Sequence, residues 1–287
     1  MEIKGKTAVV TGGASGIGKA IAEEIVARGG KVVIVDIDID DAQELAGKLG
    51  DNASAMICDV SSSDNIDAMA DQVWANTGGV DVVFANAGAG ANAPLLDAPE
   101  ELFDFVFTLN VKAVWLTCRA FAKRMIENNR TGYLCLTGSE HSLGLQHAGA
   151  GLYTGTKHAV LGMADVLRAE LPDTIGISVL CPGLTQSRFA EGKRHTTLPQ
   201  DPPEAVAFAQ AIMAKGMPAD AVAKAALDGI EREDFLIVTH ANARAAAEKR
   251  WQEIDDAFRT QAPPTGDVDK YDVTRVVTEV ASEMKNT

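Results

Sequence analysis

The chain is short of positive charge, of paired cysteines and of internal linkers, and each shortage narrows what it can be. Lys and Arg number 26 against 40 Asp and Glu, a formal charge of −14. Nucleic-acid binding relies on clustered basic side chains, so no nucleic-acid partner is expected. The four cysteines, Cys58, Cys118, Cys135 and Cys181, have no close pairing and mostly sit in apolar runs. They read as reduced core residues rather than disulfides or metal ligands. His141, His147 and His195 lack the spacing of a zinc site, and no metal is expected. No signal-peptide pattern precedes the first strand and no long apolar span stands out, so a soluble, cytoplasmic protein without membrane contact is expected. With 287 residues, 46% of them hydrophobic, and no linker dividing them, the chain suffices for one large domain with a well-buried core.

What is present is a regular alternation. Short β-branched runs at 7–11, 31–36, 55–58, 80–85, 133–137, 175–181 and 235–239 are separated by apolar-periodic stretches at 17–28, 40–49, 62–76, 100–128 and 152–171. Strands alternating with helices imply an α/β fold: a Rossmann-type, doubly wound parallel sheet of seven strands with helices on both faces. The rhythm breaks between Gly183 and Phe235, where Asp201-Pro-Pro-Glu204 starts a helical insertion after strand six. Residues 1–261 are expected as a single domain, with 188–217 as a lid. Residues 262–287 are expected as a linker and a docking helix with Val273, Val276, Val277 and Val280 on one side.

Thr11-Gly-Gly-Ala-Ser-Gly-Ile-Gly18 lies between the first strand and the first helix. Gly12, Gly16 and Gly18 permit a tight turn and close approach of a pyrophosphate to the helix N-terminus, which needs no net positive charge. Asp36 ends the second strand, where a carboxylate accepts from both ribose hydroxyls of an adenosine and repels a 2′-phosphate. Ile37 and Asp38 bring no compensating cation, which favours NAD. Tyr153 and Lys157, spaced i, i+4, share one helix face, so a Lys157 ammonium beside the phenol favours the phenolate needed for acid/base work. Alone, such a pair is a weak signal and reads more readily as an exposed amphipathic pair. Ser139 could be a plain loop hydroxyl, Asn110 a helix-interior amide and Asp36 a turn residue.

Taken together, Thr-Gly-x-x-x-Gly-Ile-Gly at 11–18, Asp59-Val60, Asn86-Ala87-Gly88, Asn110, Ser139, Tyr153, Lys157 and Pro182-Gly183 resemble the short-chain dehydrogenase/reductase family over roughly residues 1–240. The resemblance implies an NAD(H)-dependent enzyme interconverting a secondary alcohol and a ketone. It makes Tyr153 the acid/base and Ser139 the residue that holds the substrate oxygen. Lys157 then holds the nicotinamide ribose and lowers the Tyr153 pKa, and Asn110 anchors a relay water. Gly12, Ser15, Gly16, Ile17, Gly18, Asp36, Ile37, Asp59, Val60, Asn86, Ala87, Gly88, Tyr153, Lys157, Pro182, Gly183, Thr185 and Ser187 are the implied cofactor contacts. Ala85 departs from the usual Asn, Tyr-Thr-Gly-Thr-Lys from Tyr-Ser-Ala-Ser-Lys, and Ser187 from a Thr. The part from Phe235 onward also resembles bacterial dehydrogenases that oxidise the benzylic hydroxyl of lignin-derived aryl ethers, which implies a bulky or aromatic substrate.

On the substrate side, Glu140, His141, Leu145, His147 and Phe189 are the candidates, with His195, Leu143 and Met213 also able to face the cleft. A homo-oligomer, dimer or tetramer, is expected from the resemblance and from the apolar faces of the two long helices. Two other readings share the fold: a non-enzymatic dinucleotide sensor, and an epimerase or lyase using bound NAD internally. The first could dispense with the catalytic set that this chain keeps. The second usually has a larger C-terminal domain than this chain offers.

Overall fold

The computed structural model describes residues 1–90, 92–191 and 196–285, with the side chain of Ala190 also outside the description. Seven strands form one all-parallel sheet: β1 Thr7–Thr11, β2 Lys31–Asp36, β3 Ala53–Ile57, β4 Val82–Ala85, β5 Gly132–Thr137, β6 Ile175–Cys181 and β7 Leu236–Val238. Their spatial order is β3-β2-β1-β4-β5-β6-β7, so the winding reverses between β1 and β4. Ligands of such sheets bind outside the carboxyl ends of the strands at this reversal.

The helices are α1 Gly16–Ala27, α2 Ile39–Leu49, α3 Ser63–Thr77, α4 Glu100–Phe107, α5 Ala113–Glu127, α6 Gly151–Glu170, α7 Pro203–Met213, α8 Ala219–Arg232, α9 Arg244–Gln261 and α10 Val273–Lys285. Because strand side chains alternate between faces, Val9, Val33, Val83, Leu134 and Val179 pack toward α3, α5 and α6. Val10, Ile34, Phe84, Cys135 and Leu180 pack toward α1, α2 and α8. Burial on both faces is why the strands read as continuous apolar runs. The four cysteines are free and buried.

The expected helix over 100–128 is two helices joined by a π-helical turn, Thr108–Lys112, with Asn110 at its centre. This stretch, Glu100–Glu127, is long and apolar enough to cross a bilayer by length and composition, a feature that the reading of the bare sequence passed over. More than half of its most apolar window (56%) is buried inside the protein, as in a core helix. The chain divides into two compact units, Met1–Ala246 and Ala247–Thr287, the second holding most of α9 and α10.

Candidate active site

The carboxyl ends of β1, β2 and β4 converge on the glycine-rich turn. Gly12 has φ of 63°, and a Cβ there would lie 2.9 Å from the Cα of Ala87. A Cβ on Gly18 would meet the carbonyl oxygen of Gly12 at 2.1 Å, so only glycine lets α1 start this close to the strand. Asn86 ties the region together: its Nδ2 donates to the carbonyls of Thr11 (3.0 Å) and Gly12 (3.3 Å), while its Oδ1 accepts from Thr137 Oγ1 (3.2 Å). Thr11 Oγ1 accepts from the backbone N–H groups of Asn86 and Ala87.

At the N-terminus of α1, Ser15 makes no side-chain cap and no acid occupies the first turn. The first N–H groups and the dipole of the helix, at Gly16, Ile17 and Gly18, are therefore left for an anion. Asp36 is buried. Its Oδ2 accepts from the N–H of Ala14 at 2.9 Å and its Oδ1 from that of Asp38 at 3.1 Å, which leaves a lone pair on each oxygen for a diol. Beyond it, Ile37, Met56, Ile57, Cys58, Asp59, Asn65, Ala68, Met69 and Gln72 line a cavity of about 340 Å³, the size and character of a purine site. Val60 turns instead into the hydrophobic core. These features together fit a dinucleotide.

The ribose end is not free of cations, contrary to what the neighbours of Asp36 in sequence suggest. The fold brings in Arg188, whose Nη2 lies 2.6 Å from Asp41 Oδ2 and 3.7 Å from Asp38 Oδ2. Two carboxylates meet its single charge, so the local balance stays acidic.

Ser139, Tyr153 and Lys157 gather at the ends of β5 and α6. Ser139 Oγ accepts from the N–H of His141 at 3.2 Å and lies 3.5 Å from the carbonyl of Pro182. Lys157 is buried and donates from Nζ to the carbonyl of Thr137 at 2.8 Å, while Nζ sits 5.6 Å from the centre of the Tyr153 ring. Burial drops the Lys157 ammonium to about 8. Burial pushes the Tyr153 phenol up to about 12, although the neighbouring Ser139 hydroxyl pulls it down. This corrects the expectation that Lys157 lowers the phenol. The same low-dielectric site that shelters both groups disfavours both charges, and the lysine spends its bond on Thr137.

Asn110 is fully buried, with Oδ1 accepting from Ala89 N–H (2.9 Å) and Nδ2 donating to the Ala89 carbonyl (2.8 Å) and Thr156 Oγ1 (3.3 Å). Both N–H bonds of its amide are thereby committed to protein partners, while Oδ1 keeps a second acceptor site. A Cβ at Gly88 would come within 3.1 Å of Asn110 Oδ1, so this loop packs closely on the Asn110 amide.

Four rings run edge to face beside the phenol: His147 to His141 at 5.4 Å, His141 to Tyr153 at 5.2 Å, and Tyr153 to Phe189 at 5.5 Å between centroids. His141 is buried, its Nδ1 is 2.8 Å from Thr154 Oγ1, and burial, aided by the charges of His147, His158 and Lys157, lowers it to about 4, so it is neutral at ordinary pH. Leu145 is half-buried, with its N–H bonded to the Glu140 carbonyl at 3.4 Å. Leu143 packs against the core. Glu140 departs from the expectation of a substrate contact. Its carboxyl lies against Gly183 and the ring of His240, and burial raises its pKa against the opposing influence of His240, His147 and a bond from Asn242. Lys193, Arg194 and His195 lie outside the described residues.

On the β6 side, Thr185 Oγ1 donates to the Gly183 carbonyl (2.9 Å), and Ser187 Oγ donates to the Thr185 carbonyl (3.3 Å) while accepting from Phe189 N–H. A Cβ at Gly16 would lie 2.9 Å from Ser187 Cβ, so this turn faces the glycine-rich loop directly. His240, just past β7, was missed in the sequence. The signal available was its place at the carboxyl end of a strand. Among the described residues no cluster of His, Cys, Asp or Glu is arranged to hold a metal ion.

Residues 6–198 match the family model for short chain dehydrogenase. The chain is 31% identical over 261 residues to the 1-deoxy-11-beta-hydroxypentalenate dehydrogenase of Streptomyces avermitilis, covering 88% of this chain and 92% of that protein. Among solved structures, a short chain dehydrogenase/reductase from Burkholderia phymatum in complex with NAD superposes with a TM-score of 0.84 at 28% identity, covering 93% of this chain and 99% of that one. The apo form of LigO from Sphingobium sp. strain SYK-6 superposes with a TM-score of 0.77 at 27% identity, covering 99% and 98%.

Proposed function

The chain belongs to the short-chain dehydrogenase/reductase family, and from that premise we propose that it is an NAD(H)-dependent dehydrogenase interconverting a bulky, aromatic secondary alcohol and its ketone. The observation that carries the reading is the joining of Ser139, Tyr153 and Lys157 at the carboxyl ends of the strands, beside a turn and a buried Asp36 that fit a dinucleotide.

Gly16 to Gly18 would receive the pyrophosphate, Asp36 the adenosine ribose and the pocket around Met56 and Asp59 the adenine. The bound cofactor supplies the hydride donor or acceptor. The remaining chemistry is proton management at the substrate oxygen. Ser139 Oγ is free to turn toward that oxygen by giving up its long contact with Pro182. Tyr153 exchanges the proton, as donor in reduction and as base in oxidation. A phenol held up near 12 is protonated at neutral pH, which suits ketone reduction. Lys157, pinned by Thr137 and lying over the face of Tyr153, would hold the nicotinamide ribose through its remaining N–H bonds.

The row of rings from His147 to Phe189 supports the substrate class, because edge-to-face rings offer a planar apolar guest a matched wall. A neutral His141 adds no charge to repel it. The test is NADH absorbance on mixing the enzyme and NAD with a panel of secondary alcohols, aryl and alkyl, and the reverse assay with ketones. Turnover favouring aryl compounds is expected. Activity on none of them, in either direction, would sink the reading.

A further inference from the structure

His240 follows β7 and is buried, and of the motifs that define the site only Pro182-Gly183 is nearer to it in sequence than Lys157. Its Nδ1 lies 3.0 Å from the N–H of Gly183 and 2.7 Å from Thr239 Oγ1, and its Nε2 lies 3.0 Å from the carbonyl of Leu184. A peptide N–H can only donate and a carbonyl can only accept, so the ring is fixed as the tautomer with Nε2 protonated. One side chain thus grips two successive residues of the turn that follows β6.

The grip explains why residue 183 is glycine. A Cβ there would fall 2.7 Å from the His240 Cγ and 2.7 Å from Glu140 Oε2. That carboxylate oxygen is buried and has no hydrogen-bond partner among the described residues, so it acts as packing behind the turn. On the forward side the same turn runs through Thr185 to Ser187, opposite Gly16 of the phosphate loop. Ring and carboxyl brace the turn from behind; the cofactor groove lies in front.

We propose that His240 is a positioning residue for the nicotinamide end of the cofactor: it holds the Gly183–Leu184 turn at the distance from the glycine-rich loop that the nicotinamide half requires. The inference rests on the dinucleotide reading above. The adenosine half depends on Asp36 and the pocket beside β3, neither of which His240 touches. Loss of the ring should therefore separate the two halves of the ligand.

The experiment compares dissociation constants of NADH and of ADP-ribose, which lacks the nicotinamide, for the wild-type enzyme, His240→Leu and His240→Asn. Asn keeps an acceptor where Nδ1 sits and loses the donor. Removing two neutral hydrogen bonds should weaken NADH about tenfold in His240→Leu, leave ADP-ribose unchanged and raise the KM for NADH more than it lowers kcat. His240→Asn should fall between the two, and it carries the test by itself if the leucine variant does not fold. Equal weakening of both ligands, or of neither, would overturn the role given to His240. Wild-type enzyme that binds neither ligand would instead remove the dinucleotide reading.

Discussion

Lys157 Nζ sits 5.6 Å from the centre of the Tyr153 ring but gives its 2.8 Å hydrogen bond to the carbonyl of Thr137, so the two side chains are neighbours without being ion partners. Burial lowers the amine to about 8 from an ordinary 10.5. Folded protein therefore binds fewer protons than unfolded chain between those values, and stability should rise with pH across that window and show no such gain below it. At pH 7 the folded protein carries a buried ammonium at a cost. Lys157→Met should accordingly stabilise the cofactor-free protein at neutral pH by on the order of 2 kcal/mol, allowing for the lost bond to Thr137. Its advantage should shrink as pH approaches 10. Thermal unfolding of both proteins from pH 6 to 10 measures this; a variant less stable at every pH would contradict the buried, strained ammonium.

Asp36 and the acidic surroundings of Arg188 should make NAD the better cofactor. Steady-state kinetics with both cofactors decides it, and kcat/KM for NADP equal to or above that for NAD would refute the role of Asp36. Asp36→Ala with Ile37→Arg should move the preference toward NADP. Part of the loss will be structural, since Asp36 also holds the Ala14 N–H.

A homo-oligomer is expected through the long helices. Phe103, Trp115 and Ile126 on α4 and α5 and Val166 on α6 are 42–55% exposed. A two-fold contact would cover the same patch on both copies. Light scattering at micromolar concentration should give a multiple of 30.2 kDa, and Trp115→Glu with Val166→Glu should shift the population toward single chains. A wild-type monomer would contradict this.

We propose that α7, the described helix of the expected lid, closes over substrate. Phe189 already meets Tyr153, whereas α7 buries no residue and leaves Phe208 70% exposed. Hydrogen exchange across α7 should slow when NADH and a substrate analogue bind together. Equal exchange in the free and ternary states would count against closure.

Local pattern made the sheet legible. Runs such as Lys31–Asp36 and Ile175–Cys181 are strands because both faces are buried, and the glycines at 12, 16 and 18 announce a turn that tolerates no Cβ. The proximity of Tyr153 and Lys157 was legible because i, i+4 spacing places both on one helix face. What stayed hidden depends on contacts distant in sequence: Arg188 reaching Asp41, His240 holding Gly183, Glu140 turning away from the cleft. The Tyr153 phenol was misjudged for a related reason. Helical spacing shows that Lys157 is near, but only the folded interior shows that burial raises the phenol.

The central claim is that Tyr153 moves the proton that accompanies hydride transfer, and Tyr153→Phe tests it most directly. The variant removes one hydroxyl and keeps the ring against His141 and Phe189. With NAD and the best aryl alcohol of the panel, wild-type enzyme should generate NADH. Tyr153→Phe should lose about 10²–10⁴-fold in kcat with NADH affinity nearly unchanged. If Tyr153→Phe kept more than about a tenth of wild-type kcat, another group would be the acid/base and the account would be wrong.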